Sequence, residues 1–359
     1  MTAALLEGSD AMAEAAVRAG CRFFAGYPMT PFTGLLEHMA EKLPPLGGAC
    51  VNAESEIEAV NMTWGALAGG ARAATGSVGQ GLSLMQEAFS EIANAELPLV
   101  AWNMARGQSD YFQATRGGGH GDYRHIVLAP MTVAEAVEHV GLAFDLADRW
   151  SHPVLIMGDY VLGHTWATVE LPEPADLSDR PVFGVDGAGA SRGASRTVTY
   201  LPLDKLTSER VTFEELYAAR AGKLAGIAAA EARLESEGTE DAEVVVVAFG
   251  TLAFAARHAV RALQAAGVSI GWARPITLWP FPDAALRAAC RDARTVVVVE
   301  NNAGQMIEDV RLSLGDRIPI RSAGGISQDH DGFGMGDLNR PREIERRLAQ
   351  TIAEIEESR

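Results

Sequence analysis

Three side chains in the first third of the chain are of the types that do chemistry, and each lies where a strand or helix ends or begins. In "AGYPMTP", residues 25–31, Thr30 stands between Pro28 and Pro31 directly after a short apolar run. The two prolines fix φ and remove backbone donors, so the Thr30 hydroxyl is held on a stiff turn, able to donate or accept. The same turn also reads as a plain strand terminator. In "NAESEIEAVNMTWGALAGGARA", 52–73, Glu54, Glu56 and Glu58 open a helix, where carboxylates complement the macrodipole. Ala59, Thr63, Ala66 and Gly70 form a small-residue stripe along that helix, and Glu56 lies on its N-terminal extension. Glu56 is therefore the acid suited to burial and to giving or taking a proton. Arg106, in "NMARGQSD", follows a third apolar run, where a guanidinium can clamp a carboxylate with two parallel bonds or simply stay solvated.

Two glycine-bearing segments accompany these residues. "TGSVGQG", 75–81, lies between a strand and a helix, where Gly79 and Gly81 allow a ligand close to the backbone. It matches neither the dinucleotide G-x-G-x-x-G nor the lysine-containing P-loop, which disfavours NAD and ATP. "TRGGGHGDYR", 115–124, reads as a mobile loop carrying His120 and Asp122 between two arginines, with His120 open to either a packing or a site role.

The elements that must position these residues follow α/β grammar. Helix 11–19 closes at Gly20, and strand 22–25 ends at the proline turn. Helices at about 31–43 and 55–69, strand 72–76, helix 82–95, strand 99–103, helix 133–150 and strand 153–157 follow. The continuous apolar strands suit a parallel sheet covered on both faces, with ligands beyond the carboxyl ends of its strands. Residues 1–165 read as one domain. A Pro-, Gly- and Ser-rich connection from about 168 to 210 and a helical stretch 213–237 make up the segment 166–240. "EVVVVAFG", a helix 252–266, "SIGWARP" and "RTVVVVENN" read as a smaller α/β domain over 241–359.

Composition narrows the function. The 359 residues are 48% hydrophobic and carry 47 acidic against 30 basic residues, a formal net charge of −17 with no basic cluster fit for a phosphate backbone, so nucleic acid is not expected as a partner. Cys21, Cys50 and Cys290 lack metal-ligand or iron–sulfur spacing, so no metal residue is assigned. No uncharged segment reaches the roughly 20 residues of a membrane span, and nothing reads as a targeting signal, which makes the cytoplasm the expected location.

Taken in order, "GYPMTP", "ESEIEAVNMTWGALAGGARA", "SLMQEAFSEIANAELPLV", "ARG", "GGGHGDYRHIVLAP" and "VVAFGT…RPITLWPFP…VVVVENNAGQM" resemble the alpha subunit of 2-oxoacid:ferredoxin oxidoreductases. The "GGGHGDYR" loop is most similar to the branched-chain, 2-oxoisovalerate type. The likeness covers residues 1–165 and 243–312. It implies that residues 1–165 resemble the pyrimidine-binding domain of thiamine diphosphate enzymes, and that the last domain resembles the transketolase C-terminal type, supporting assembly without a catalytic residue. Glu56 matches the family's glutamate on N1′ of the aminopyrimidine, where a carboxyl sharing its proton favours the tautomer that deprotonates C2. Thr30 and Arg106 match positions that hold the substrate carboxylate, Pro28 lines the same turn, and Gly79 and Gly81 approach the cofactor. Here Gly79-Gln80-Gly81 stands where relatives have Gly-Pro-Gly, and the segment 321–337 departs from the family pattern.

"MGDYVLGH", 157–164, has Gly158-Asp159 but not the third glycine or the asparagine of a Mg²⁺–diphosphate motif. The resemblance therefore places Mg²⁺ and an iron–sulfur cluster in a partner beta subunit that shares the thiamine diphosphate. It also implies ferredoxin as electron acceptor, a 2-oxoacid substrate, coenzyme A as acyl acceptor, and a hetero-oligomer built on a dimeric core. Three other readings stay open on the residues alone. They are the beta subunit of a lipoate-dependent 2-oxoacid dehydrogenase, a non-catalytic scaffold subunit, and a flavodoxin-like nucleotide binder.

Overall fold

A computed structural model describes residues 2–178, 212–332 and 334–357. In chain order the first part runs β1 Thr2–Glu7, α1 Gly8–Arg18, β2 Phe23–Gly26, α2 Thr33–Lys42, β3 Ala49–Asn52, α3 Glu56–Ala68, β4 Ala73–Ser77 and α4 Gly79–Asn94. It continues with β5 Val100–Ala105, α5 Tyr111–Thr115, β6 Ile126–Leu128, α6 Val133–Trp150, β7 Val154–Asp159, α7 Tyr160–His164 and β8 Trp166–Leu171. The second part comprises α8 Phe213–Glu231, β9 Leu234–Glu237, β10 Val244–Val247, α9 Gly250–Ala265, β11 Ile270–Pro275 and β12 Thr277–Trp279. Then come α10 Asp283–Ala289, β13 Thr295–Val298, α11 Met306–Leu314, β14 Ile320–Ser322 and α12 Pro341–Glu357.

Seven strands form the main sheet in the order β12-β6-β7-β5-β4-β2-β3. All neighbours are parallel except β12, which lies antiparallel on β6. Apart from the edge strand β3, the parallel strands are largely buried because helices cover both faces: Phe24, Phe32, Trp102 and Met12 pack on one side, and Ala59, Leu82, Phe89 and Leu155 on the other. Register decides where the loops emerge. Gly26 pairs with both Asn52 and Gly76, and Ser77 pairs with Asn103. The turn after β2, the start of α3, the start of α4 and Arg106 after β5 consequently leave the sheet along one edge.

A second sheet, β14-β13-β10-β11-β9, is parallel but for β9, and its β10 is four consecutive buried valines. Strands β1 and β8 pair antiparallel as a separate ribbon.

Three differences from the sequence reading stand out. The opening residues are a strand, not an unassigned lead into α1. The connection begins later than residue 168, since β8 continues to Leu171, and residues 179–211 lie outside the described ones. The helix expected to run to residue 237 stops at Glu231, because Leu234–Glu237 turns back to pair with Trp272–Pro275 and closes the sheet edge. Among the described residues no helix is long and apolar enough to cross a membrane.

Candidate active site

Glu56 begins α3 behind the cap Ser55, whose Oγ accepts from the Glu58 backbone N–H at 3.4 Å. Glu54 and Glu58 face outward, whereas Glu56 is 3% exposed. Its Oε1 accepts from the Ser77 hydroxyl at 3.0 Å, the one hydrogen bond to this carboxylate among the described residues. The first turn of α4 lies against the pair. A β-carbon on Gly81 would sit 2.0 Å from Ser77 Oγ and 2.4 Å from Glu56 Oε1, so this position admits no side chain while Glu56 keeps its place. A buried carboxylate with one oxygen outside the Ser77 bond, packed against a helix start without a β-carbon, is a group that can share a proton with an aminopyrimidine ring nitrogen. The residues fit that group.

Arg106 leaves β5 one residue after its end and turns back to the proline-bearing turn, where its Nε donates to the Thr30 carbonyl at 3.2 Å. The structure thus brings Thr30 and Arg106 together, through the backbone of Thr30 and not its hydroxyl. Pro28 and Thr30 are both exposed on that turn, and Phe32 behind them is fully buried beneath Gly26 and Gly76. Arg106 opens onto a cavity of about 440 Å³ lined by Gly79, Ser83, Asp110, Gln113 and Gln328. Asp110 stands beside it, accepting from Asn103 Nδ2 at 3.1 Å and Gln113 Nε2 at 2.9 Å, while burial pushes its carboxyl above the usual range. A β-carbon on Gly79 would meet Asp110 Oδ1 at 2.3 Å. Gly79 and Gly81 therefore let two carboxylates, Asp110 and Glu56, close on opposite flanks of the first turn of α4.

Residues beyond 240 reach this site, which sequence reasoning did not foresee. Gln108, two residues after Arg106, is buried and held by residues that follow β10 and β13. Its Nε2 donates to the Phe249 carbonyl at 2.9 Å, its Oε1 accepts from the Asn301 N–H at 2.9 Å, and its own carbonyl accepts from Asn302 Nδ2 at 2.9 Å. Asn301 also grips Ser327 with a bond in each direction, both 2.7 Å. Glu300, fully buried, accepts from three backbone N–H groups at the start of α11. The following Gln305 bonds the Ser109 carbonyl and the Phe112 N–H, and Asp309 takes the Tyr111 hydroxyl at 2.6 Å. The available signal was the paired asparagines in "VENNAGQM" just past a strand of valines, a place where polar side chains end up buried only with partners.

The glycine-rich loop 115–124, expected to be mobile, is pinned to α4. Tyr123 Oη accepts from the Gly118 and Gly119 N–H groups and donates to Gln86 Oε1, and His120 Nε2 pairs with Glu91. Gly119 lies so close to α4 that a β-carbon would meet the Gln86 carbonyl at 2.4 Å. His120 is thus tied to Glu91, away from the residues that surround Glu56 and Arg106. Asp159 of the truncated Gly-Asp motif is buried, caps α7 through the Leu162 N–H at 2.9 Å, and takes the Thr251 hydroxyl from the start of α9.

Comparison with known proteins assigns the class first. Residues 14–183 match the thiamine diphosphate-binding model of pyruvate flavodoxin/ferredoxin oxidoreductases, and residues 242–330 match core domain II of pyruvate:ferredoxin oxidoreductase. Ketoisovalerate oxidoreductase subunit VorB of Methanothermobacter marburgensis is 38% identical over 329 residues, covering 88% of this chain and 91% of that one. The 2-oxoglutarate synthase subunit KorA of Methanothermobacter thermautotrophicus is 34% identical over 374 residues, covering 94% and 96%. This chain belongs to the 2-oxoacid:ferredoxin oxidoreductase family and is an oxidoreductase subunit. A solved 2-oxoglutarate:ferredoxin oxidoreductase from Magnetococcus marinus, with 2-oxoglutarate, coenzyme A and succinyl-CoA bound, is 26% identical with a TM-score of 0.82. The match covers 97% of this chain and 65% of that one. A split-gene transketolase shares the fold alone, at 15% identity and a TM-score of 0.57, with 96% and 97% coverage.

Proposed function

We propose that this chain supplies the acid–base group on the pyrimidine side and the substrate-carboxylate contact of a complex that oxidatively decarboxylates a 2-oxoacid and passes the electrons to ferredoxin. The observation that carries the reading is Glu56: a buried carboxylate with one internal hydrogen bond, on the same sheet edge as the Arg106–Thr30 tie. Thiamine diphosphate, when bound, supplies the electron sink for decarboxylation. Glu56 would hold a proton shared with the ring nitrogen N1′, and the Ser77 hydroxyl donates to its Oε1 and helps hold the carboxylate in place. Arg106 and Thr30 would orient the substrate carboxylate, Pro28 stiffens their turn, and Gly79 and Gly81 keep the start of α4 close.

Residues 1–165 act as the pyrimidine-binding domain and 241–359 as the transketolase C-terminal-like domain, on either side of the 166–240 connection. A partner beta subunit carries the diphosphate–Mg²⁺ site and an iron–sulfur cluster, coenzyme A takes the acyl group, and the hetero-oligomer works in the cytoplasm. A branched-chain 2-oxoacid is the first substrate to try, on the strength of the "GGGHGDYR" loop. The family membership argues against a lipoate-dependent beta subunit, and the intact Glu56, Thr30 and Arg106 set argues against a scaffold.

The test is Glu56→Gln in the assembled complex. Exchange of the cofactor's C2 proton slows by roughly two to four orders of magnitude, the scale for losing a positioned acid–base group. Exchange within twofold of the unmodified complex would remove Glu56 from this role.

A further inference from the structure

We infer that Gln328, on the second domain, is a specificity-determining residue that walls the space receiving the side chain of the 2-oxoacid. The inference rests on the reading of Arg106 as the carboxylate contact and takes it one step outward. With the carboxylate held at Arg106, the rest of the substrate must extend into the cavity of about 440 Å³ that Arg106 opens onto. On the side opposite Gln328, Gln80 and Ser109 line the cavity without a side-chain hydrogen bond among the described residues, whereas Ser83, Gln113 and Asp110 are committed to one another. Ser83 Oγ donates to Gln113 Oε1 at 2.8 Å, and Gln113 Nε2 donates to both the Gly79 carbonyl and Asp110.

Across from it stand Gln328 and Gly332, which the second domain delivers on a segment that turns back on itself. Gln328 bridges antiparallel to Met335, and the Asp329 N–H donates to the Gly334 carbonyl at 3.0 Å. The base of that segment is fixed. Ser327 is gripped by Asn301 in both directions, its carbonyl accepts from the Gly336 N–H at 3.1 Å, and its hydroxyl accepts from the Leu338 N–H at 3.2 Å. Asn301 in turn holds Gln108, two residues from Arg106. The backbone that carries Gln328 is thus set relative to the arginine by a continuous chain of hydrogen bonds. Its side-chain amide makes no hydrogen bond among the described residues and is exposed where the cavity opens. A positioned backbone with an uncommitted amide facing a cavity can read what lies in it, because a ligand group either satisfies the amide or leaves it unpaired.

The experiment compares pyruvate, 2-oxoisovalerate and 2-oxoglutarate as substrates of the intact complex, with unmodified chain, Gln328→Leu and Gln328→Ala. Gln328 is exposed, so neither change should affect folding. Leucine replaces the amide by an apolar surface, and the kcat/KM ratio of 2-oxoisovalerate over 2-oxoglutarate should rise roughly tenfold. Pyruvate, whose side chain is a single methyl group, should stay within twofold in both variants. A profile unchanged in both variants would overturn the inference and leave the proposed function standing. Equal loss on all three acids would also overturn it, since the residue would then act on the shared head of the substrate or on the structure. An unmodified complex inert to every 2-oxoacid would instead overturn the proposed function, and this inference with it.

Discussion

Adding one methyl group at Gly81 tests the geometry around Glu56 more sharply than removing Glu56 does. The β-carbon of Gly81→Ala would fall 2.0 Å from Ser77 Oγ, 2.4 Å from Glu56 Oε1 and 2.6 Å from Glu56 Cγ. All three distances are far inside van der Waals contact, so either the first turn of α4 shifts or the carboxylate is driven out of its pocket. Overpacking of this kind costs about 1 to 3 kcal/mol, while alanine returns up to roughly 1 kcal/mol of helix propensity, less in a first turn. A net loss of about 1 to 2 kcal/mol follows, read as a lower urea midpoint at constant slope. Turnover of the complex should fall by about two to four orders of magnitude, because the displaced group is the proposed acid–base residue. The two effects must also be coupled. In a Glu56→Gln background, Gly81→Ala should lower turnover little further, since both changes disable the same carboxyl. Wild-type stability together with wild-type turnover in Gly81→Ala would refute the packing argument, and full additivity with Glu56→Gln would refute the assignment of Gly81 to Glu56.

Arg106→Ala should lower kcat/KM for a 2-oxoacid roughly ten- to a hundredfold, with partial recovery by lysine, because a point charge does not reproduce a planar fork. An aldehyde substrate lacking the carboxylate should be spared, and equal losses on both would make Arg106 structural. Isothermal titration of the isolated chain should show only weak thiamine diphosphate binding, since the proposed diphosphate–Mg²⁺ contacts lie on the partner; micromolar affinity would contradict that division. Burial holds His125 and His139 down at about 4 and His152 at about 3, against an ordinary 6.5. The unfolded chain then binds more protons below about 6.5, so these groups lose stability as pH falls from 6.5 towards 4. The loss is about 1 to 2 kcal/mol per histidine at pH 5. Asp110 and Asp159, whose carboxyls burial pushes up, act in the opposite sense at lower pH. His152→Gln, which can still donate to the Arg124 carbonyl, should flatten the decline in urea midpoint between pH 7 and 5, and an unchanged slope would remove His152 from the account.

Much of this arrangement was legible in the sequence because its signals are local. Proline and glycine mark the ends of β2 and β4, and the stripe through Ala59 and Thr63 tells which glutamate of three turns inward. The bounds of α6, Val133–Trp150, follow from its apolar period and the Thr132 cap. What escaped is non-local. Thr2–Glu7 is a strand only because Trp166–Leu171 lies beside it, and a run with two alanines and two leucines shows no β preference of its own. Leu234–Glu237 has the composition of a helix end and becomes a strand by pairing with β11. In the site, Glu56 and Arg106 were visible as residue types at element ends. The grip of Asn301 and Asn302 on Gln108 spans more than 190 positions, and no periodicity reports a contact at that separation.

Strand β12 ties together the making of the two domains. Thr277–Trp279 belongs by sequence to the second domain, yet it pairs with Ile126–Leu128 at the border of the first domain's sheet. During synthesis the ribosome finishes β6 some 150 residues before β12 emerges, so the nascent first domain presents an open border of buried-type residues, Ile126, Val127 and Leu128, for that whole interval. A chaperone or a premature sheet pairing has its opportunity there. For the same reason a gene cut at residue 240 would not yield a finished first module. In this lineage, recombination that swaps the second domain for another must supply a compatible strand along with it.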